Sequence, residues 1–238
     1  LTPAALEKHI TPKTRVLLMG YPSNPTGAIL TRQDLEGIAE VVKKHDLIVI
    51  SDEIYSELTY DTTHVSIASL PGMKERTVIL NGFSKAYAMT GLRIGFMCAP
   101  HEVIDAAIKI HQYSIVAPAT PIQHGAITAL TECDDAVIDM HNEYKARREL
   151  IVTGFQKMGL PVAVPQGAFY VFPDISSTGL SDEEFAEQLL LTKHVAVVPG
   201  SAFGVCGKNR IRCSYASSRE TIAIALQRIG EFVAEHSK

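Results

Sequence analysis

Short, unbroken aliphatic runs alternate with helix-period segments through the first hundred positions of the chain. Val16–Met19, Leu47–Ile50 and Thr77–Leu80 are such runs. Runs without apolar/polar alternation suit strands buried on both faces, as in a parallel sheet. Between the first two, Thr31-Arg32-Gln33-Asp34 reads as a capped helix start, and Leu35, Ile38, Val41 and Val42 recur at helical spacing. Strand, helix and strand together predict a βαβ unit. A fourth run, Arg93–Cys98, follows the third too closely for a crossover helix, so it is expected to run antiparallel.

Helices are predicted over residues 101–111, 119–131 and 135–158, the last rich in charge and long enough to bridge two lobes. Beyond Gly159-Leu160-Pro161 the pattern changes. Strands are expected at 169–172, 195–198 and 211–215. Ser181-Asp182-Glu183-Glu184 is a capping box for a helix reaching Leu191. Ser217-Ser218-Arg219-Glu220 opens a final helix with Ile222, Leu226, Ile229 and Val233 on one face. The expected class is α/β: part of a large, mostly parallel sheet domain over 1–135, then a smaller α+β domain over 136–238 that includes the linking helix.

Composition narrows the function. With 46% hydrophobic and 20% charged residues the chain can build a core and is not disordered. A net charge of -4 argues against a nucleic-acid or anionic-membrane partner. No apolar run approaches the roughly 20 residues of a membrane span, and the start, Leu1-Thr2-Pro3-Ala4, lacks the pattern of a secretory leader. Cys98, Cys133, Cys206 and Cys213 form no CxxC pair. They are expected to be reduced core thiols in a cytoplasmic protein, and no metal site is expected.

Ligands of open α/β sheets bind beyond the carboxyl ends of the strands. Asn24-Pro25-Thr26-Gly27 follows the first run, Asp52-Glu53-Ile54-Tyr55 the second, and Ser84-Lys85 the third. Three neighbouring strands thus deliver an amide, a carboxylate with a phenol, and an amine to one edge. No glycine-rich phosphate loop of the P-loop or dinucleotide type occurs.

These motifs, together with Gly91-Leu92-Arg93-Ile94-Gly95 and Ile211-Arg212-Cys213-Ser214-Tyr215-Ala216, resemble in order those of the fold-type I, pyridoxal-phosphate-dependent class I/II aminotransferases. The likeness covers essentially the whole chain and is nearest to the aspartate and aromatic group. It implies pyridoxal 5'-phosphate as cofactor and Lys85 as its Schiff-base lysine and proton shuttle. It implies Asp52 against the protonated pyridine nitrogen, where a carboxylate about 3 Å away at an effective dielectric near 20 contributes roughly 5 kcal/mol before desolvation. Asn24 and Tyr55 are implied at the ring oxygen, and Arg93 and Ser84 at the phosphate. Arg212 is implied at the substrate α-carboxylate, with Asn24 beside it. Gly82 departs from relatives that carry serine there, and Arg210 is expected on the surface.

The resemblance further implies ping-pong transfer between an L-amino acid and a 2-oxo acid, and a homodimeric parent. The alternatives are another fold-type I enzyme, a C–S lyase or decarboxylase, and a non-catalytic effector-binding domain. Family members extend further at the N-terminus, so a segment of the large sheet is expected to be absent and the isolated chain to be inactive and prone to associate.

Overall fold

The structure, a computed structural model, describes residues 1–236. These fall into two compact units, one of residues 1–22 and 29–138, the other of 23–28 and 139–236.

In the first unit a four-stranded sheet runs in the order β1 (Val16–Gly20), β2 (Ile48–Asp52), β3 (Thr77–Gly82), β4 (Gly95–Cys98). The first three are parallel and β4 is antiparallel to β3, as the short connection requires. A short helix, α1 (Pro3–His9), which the hydrophobic pattern did not reveal, and α2 (Arg32–Lys44) contact each other. The α2 start is the expected capping box: Asp34 N–H donates to the Thr31 hydroxyl at 3.2 Å, and Thr31 N–H donates to the Asp34 carboxylate at 2.9 Å. Leu35, Ile38, Val42, Val49, Ile67 and Met73 form the core between α2 and the sheet.

Two expectations need correction. The strands are not buried on both faces: Leu18 is 71% exposed and Val16 47%. Among the described residues α1 and α2 cover only the face carrying Met19 and Val49. The fourth strand begins at Gly95 rather than Arg93, because Arg93 (φ 55°, ψ 54°) sits in the left-handed region closing the turn 90–92. Helices α3 (His101–Ser114), α4 (Thr120–Glu132) and α5 (Asp134–Lys157) come next along the chain.

The second unit carries a small antiparallel sheet in the order β5 (Tyr170–Val171), β7 (Ile211–Ser214), β6 (Val198–Pro199). The run 195–198 therefore pairs only at its end. Its hydrophobicity marks partial burial, not ladder bonding. Helices α6 (Asp182–Lys193) and α7 (Arg219–His236) pack on one another through Phe185 and Phe232, whose rings meet edge-on at 5.1 Å. The expected apolar face of α7, Ile222, Leu226, Ile229 and Val233, is buried. Of the four cysteines, all free, only Cys213 is buried, and burial pushes its thiol up to about 12 despite the neighbouring Arg212. Cys98 ends an edge strand and Cys206 lies on a loop, so both are exposed and the core assignment fails for them.

Phe185 is completely buried. Phe185→Ala is expected to lower the unfolding free energy by about 3–5 kcal/mol through lost burial and a residual cavity. Urea denaturation at neutral pH reads this as a shifted midpoint at unchanged slope.

Candidate functional site

Strand register sets the first unit's edge. Gly20 lies beside Asp52, and Asp52 beside Leu80. The ladder continues one step further, with the Tyr21 amide donating to the Asp52 carbonyl at 3.1 Å and the Glu53 amide to the Leu80 carbonyl at 2.9 Å. Successive side chains of a strand point to opposite faces. Asp52 is therefore exposed at the sheet's end while Ser51 and Glu53 are buried. The Asp52 Oδ1 accepts the Ile54 amide at 3.1 Å, which turns the chain into the segment holding buried Tyr55.

The loop after β3 is anchored by Phe83, buried against Ala126 and Ala129, with its ring 5.3 Å from that of Tyr87 and 6.1 Å from that of Phe96. The Ser84 carbonyl accepts the Thr90 hydroxyl at 2.6 Å, closing the loop around Lys85. The Lys85 Nζ stands 6.0 Å from the Tyr55 ring centroid, so the amine and the phenol of two adjacent strand ends do meet. Arg93 is exposed, and its Nη1 donates to the Thr90 carbonyl at 2.9 Å. Gly82 has its own reason: it pairs with Gly95, and a Cβ there would come 2.8 Å from the Gly95 Cα.

The second unit contains the other two sequence candidates. Residues 23–28 form a turn in which the Gly27 amide donates to the Ser23 carbonyl and the Ser23 amide to the Ala28 carbonyl, both at 2.8 Å. Gly27 adopts φ +67°, and a Cβ there would meet the Pro165 side chain at 2.4 Å. Its carbonyl accepts the amides of Gln166 and Gly167 at 2.8 and 2.9 Å. Buried Arg148 donates to the Pro165 carbonyl at 3.1 Å and so supports that loop. The turn presents Asn24, whose Oδ1 accepts Arg212 Nη1 at 3.0 Å. The Arg212 guanidinium carbon lies 4.6 Å from the Tyr170 ring centroid and 5.0 Å from that of Phe203. Its Nε is buried without a hydrogen-bond partner among the described residues. Arg210, expected on the surface, is half-buried and pairs with Asp174 at 3.2 Å.

A polar cluster behind Asp52 escaped the sequence reading. The Glu53 carboxylate, 4% exposed as a residue, accepts Ser51 Oγ at 3.0 Å and Ser66 Oγ at 2.8 Å, and lies 3.0 Å from His64 Nε2. Burial opposes its ionisation, but His64 and the two hydroxyls outweigh burial and hold its pKa below the usual glutamate value. The only sequence signal was an acidic residue continuing the buried face of a strand. Among the described residues no three His, Cys, Asp or Glu side chains gather as metal ligands, and no helix is long and apolar enough to cross a membrane.

The family model described as "Aminotransferase class I and II" matches residues 1–229. Aromatic-amino-acid aminotransferase 2 of Thermococcus litoralis is 47% identical over 233 residues, covering 97% of this chain and 60% of that protein. The structure of an aromatic aminotransferase from Pyrococcus horikoshii OT3 superposes with a TM-score of 0.96 at 48% identity, over 99% of this chain and 64% of that one. Aspartate aminotransferase from Thermus thermophilus with maleate gives 0.91 at 38% identity, over 97% of this chain and 60% of that one. The chain thus spans 60% of the length of the curated relative it matches.

Because the folded-state pKa of Glu53 is depressed, its contribution to stability is complete above the unfolded glutamate value of about 4.3. That contribution is lost as pH falls through the folded value. Glu53→Gln is expected to destabilise the protein at pH 7 and to flatten the acid limb. The check is the denaturation midpoint of both proteins from pH 7 down to pH 3, with parallel curves counting against the network.

Proposed function

The chain belongs to the class I and II aminotransferase family, and from that premise we propose that it carries the lysine-bearing and carboxylate-binding parts of a pyridoxal-phosphate-dependent aminotransferase. The observation that carries the reading is the convergence of Asp52, Tyr55 and Lys85 at one sheet edge, with Lys85 Nζ 6.0 Å from the Tyr55 ring.

The side chains present suit the cofactor. Asp52 offers a carboxylate at an exposed strand end, fitted to hold a proton on a ring nitrogen. Lys85 offers the amine that a carbonyl cofactor requires. Arg93 offers a planar fork for a phosphate, and Ser84 a hydroxyl. When bound, pyridoxal phosphate supplies a carbonyl that exchanges with amino groups and a ring that withdraws electrons from Cα. With its amine free, Lys85 would be the base that takes the Cα proton and returns it. Tyr55 would donate to the ring oxygen. Arg212, held by Asn24 and two aromatic rings, pairs with the substrate α-carboxylate. The substrates are an α-amino acid of the dicarboxylic or aromatic type and a 2-oxo acid.

In a protein of the relatives' full length that contains this chain, Lys85→Ala is expected to lose the borohydride-fixable link between cofactor and protein together with transamination. A retained link would assign the role to another lysine. In single turnover the same full-length protein without the substitution should convert bound cofactor to its amino form with an amino acid and be reset by a 2-oxo acid; absence of the reset would point to a lyase or decarboxylase. Arg212→Ala should keep the cofactor and raise the KM for the amino acid by roughly ten- to a hundredfold and somewhat beyond, the value of a charge-assisted contact of about 1.5–3 kcal/mol.

A further inference from the structure

Asp182 is a carboxylate that the transamination chemistry leaves unused. It is the first residue of α6, where an acid ordinarily points into water and favours the helix dipole, yet it is only 5% exposed. Its Oδ2 accepts the Ser201 amide at 2.7 Å and its Oδ1 the Asn209 amide at 3.4 Å. Burial disfavours the charge, but the Ser201 and Asn209 donors prevail and keep the pKa low, so the group is an anion at neutral pH.

Those two amides mark opposite ends of one loop. Ser201 lies in the turn Gly200–Phe203, and Asn209 stands just before β7, which carries Arg212. The loop is tightly drawn. The Gly200 amide donates to the Arg210 carbonyl at 2.8 Å and the Arg210 amide to the Gly207 carbonyl at 3.2 Å. A Cβ on Gly200 would lie 2.0 Å from the Gly207 carbonyl oxygen.

The two rings beside Arg212 are held in different ways. Tyr170 sits on β5, in register with Ser214 of β7, so the sheet itself places it. Phe203 sits on the loop, where its ring meets Phe172 edge-on at 6.0 Å and lies 5.0 Å from the guanidinium carbon, so its place depends on the loop as well as on Phe172. A flexible arginine pre-ordered between fixed contacts loses less freedom on binding.

We propose that Asp182 is a positioning residue for Arg212: by bonding both ends of the loop 201–209 it holds Phe203 against the guanidinium and so orders the carboxylate-binding group. The proposal rests on Arg212 receiving the substrate carboxylate. A helix-starting acid with a purely structural role would change stability and leave substrate affinity alone.

The test is a double-mutant cycle on a cofactor-loaded enzyme of the relatives' full length that contains this chain, with D182A, F203A and the pair, reading KM for the amino acid, kcat and the dissociation constant of maleate as an unreactive carboxylate. Each single variant should raise KM and the maleate constant about three- to tenfold, with the effect falling on affinity rather than kcat. The pair should be no worse than the worse single variant, since both act through one contact. D182N, which keeps one acceptor for the Ser201 amide, should shift KM less than D182A, and it replaces D182A in the cycle if that variant does not fold. An unchanged KM in D182A or its replacement, or effects that multiply in the pair, overturns the proposal. An unchanged KM in R212A defeats the reading of Arg212 itself; a raised KM in R212A beside an unchanged one in D182A defeats the Asp182 proposal alone.

Discussion

The register of three parallel strands is the constraint on which the first unit depends. With Gly20, Asp52 and Leu80 side by side, β1 and β2 end level and β3 runs only two residues further, to Gly82. The segments leaving these strands are therefore delivered to a common edge. A one-residue slip of β2 would exchange Asp52 and Glu53 between the faces, burying the carboxylate that is exposed in the observed register and taking Glu53 away from Ser66 and His64. The Glu53 cluster therefore works against such a slip: its contacts with Ser66 and His64, which come from outside the strand, exist in only one register.

The second unit solves a different problem. An arginine side chain has many rotamers, and keeping one of them costs up to about 2 kcal/mol. Arg212 is restrained from three distant parts of the chain: the amide of Asn24, the ring of Tyr170 and the ring of Phe203. It also buries its Nε without a partner among the described residues, at a cost of about 1–3 kcal/mol.

Much of this was legible in the sequence, for identifiable reasons. The capping boxes at Thr31 and Ser181 marked their helices because both partners of each box lie within four residues. The direction of β4 followed from the length of its connection. The features that stayed hidden depend on orientation or on distant contacts. The run 195–198 showed apolar character but not that only Val198 and Pro199 find a ladder partner. Glu53 and Asp182 stood in the sequence as a strand-end acid and a helix-start acid, the commonest surface roles for those types. Only the fold reveals that each turns inward toward donors from elsewhere. Asn24 and Arg212 were singled out through family likeness, whereas their hydrogen bond, spanning 188 positions, was not legible.

The contact between Gly200 and Gly207 carries an implication for how this loop can vary. Each glycine's missing side chain is the space the other's carbonyl occupies, so both positions are closed to the other nineteen amino acids, and neither is opened by changing its neighbour. Between them Val205 is 81% exposed and Cys206 is exposed. Tolerance along these few positions is thus divided rather than graded. Random mutagenesis should leave the loop's crown diverse in composition while its two hinge points admit a single genotype, and drift at the crown can alter what the loop presents to solvent without loosening the frame beneath it.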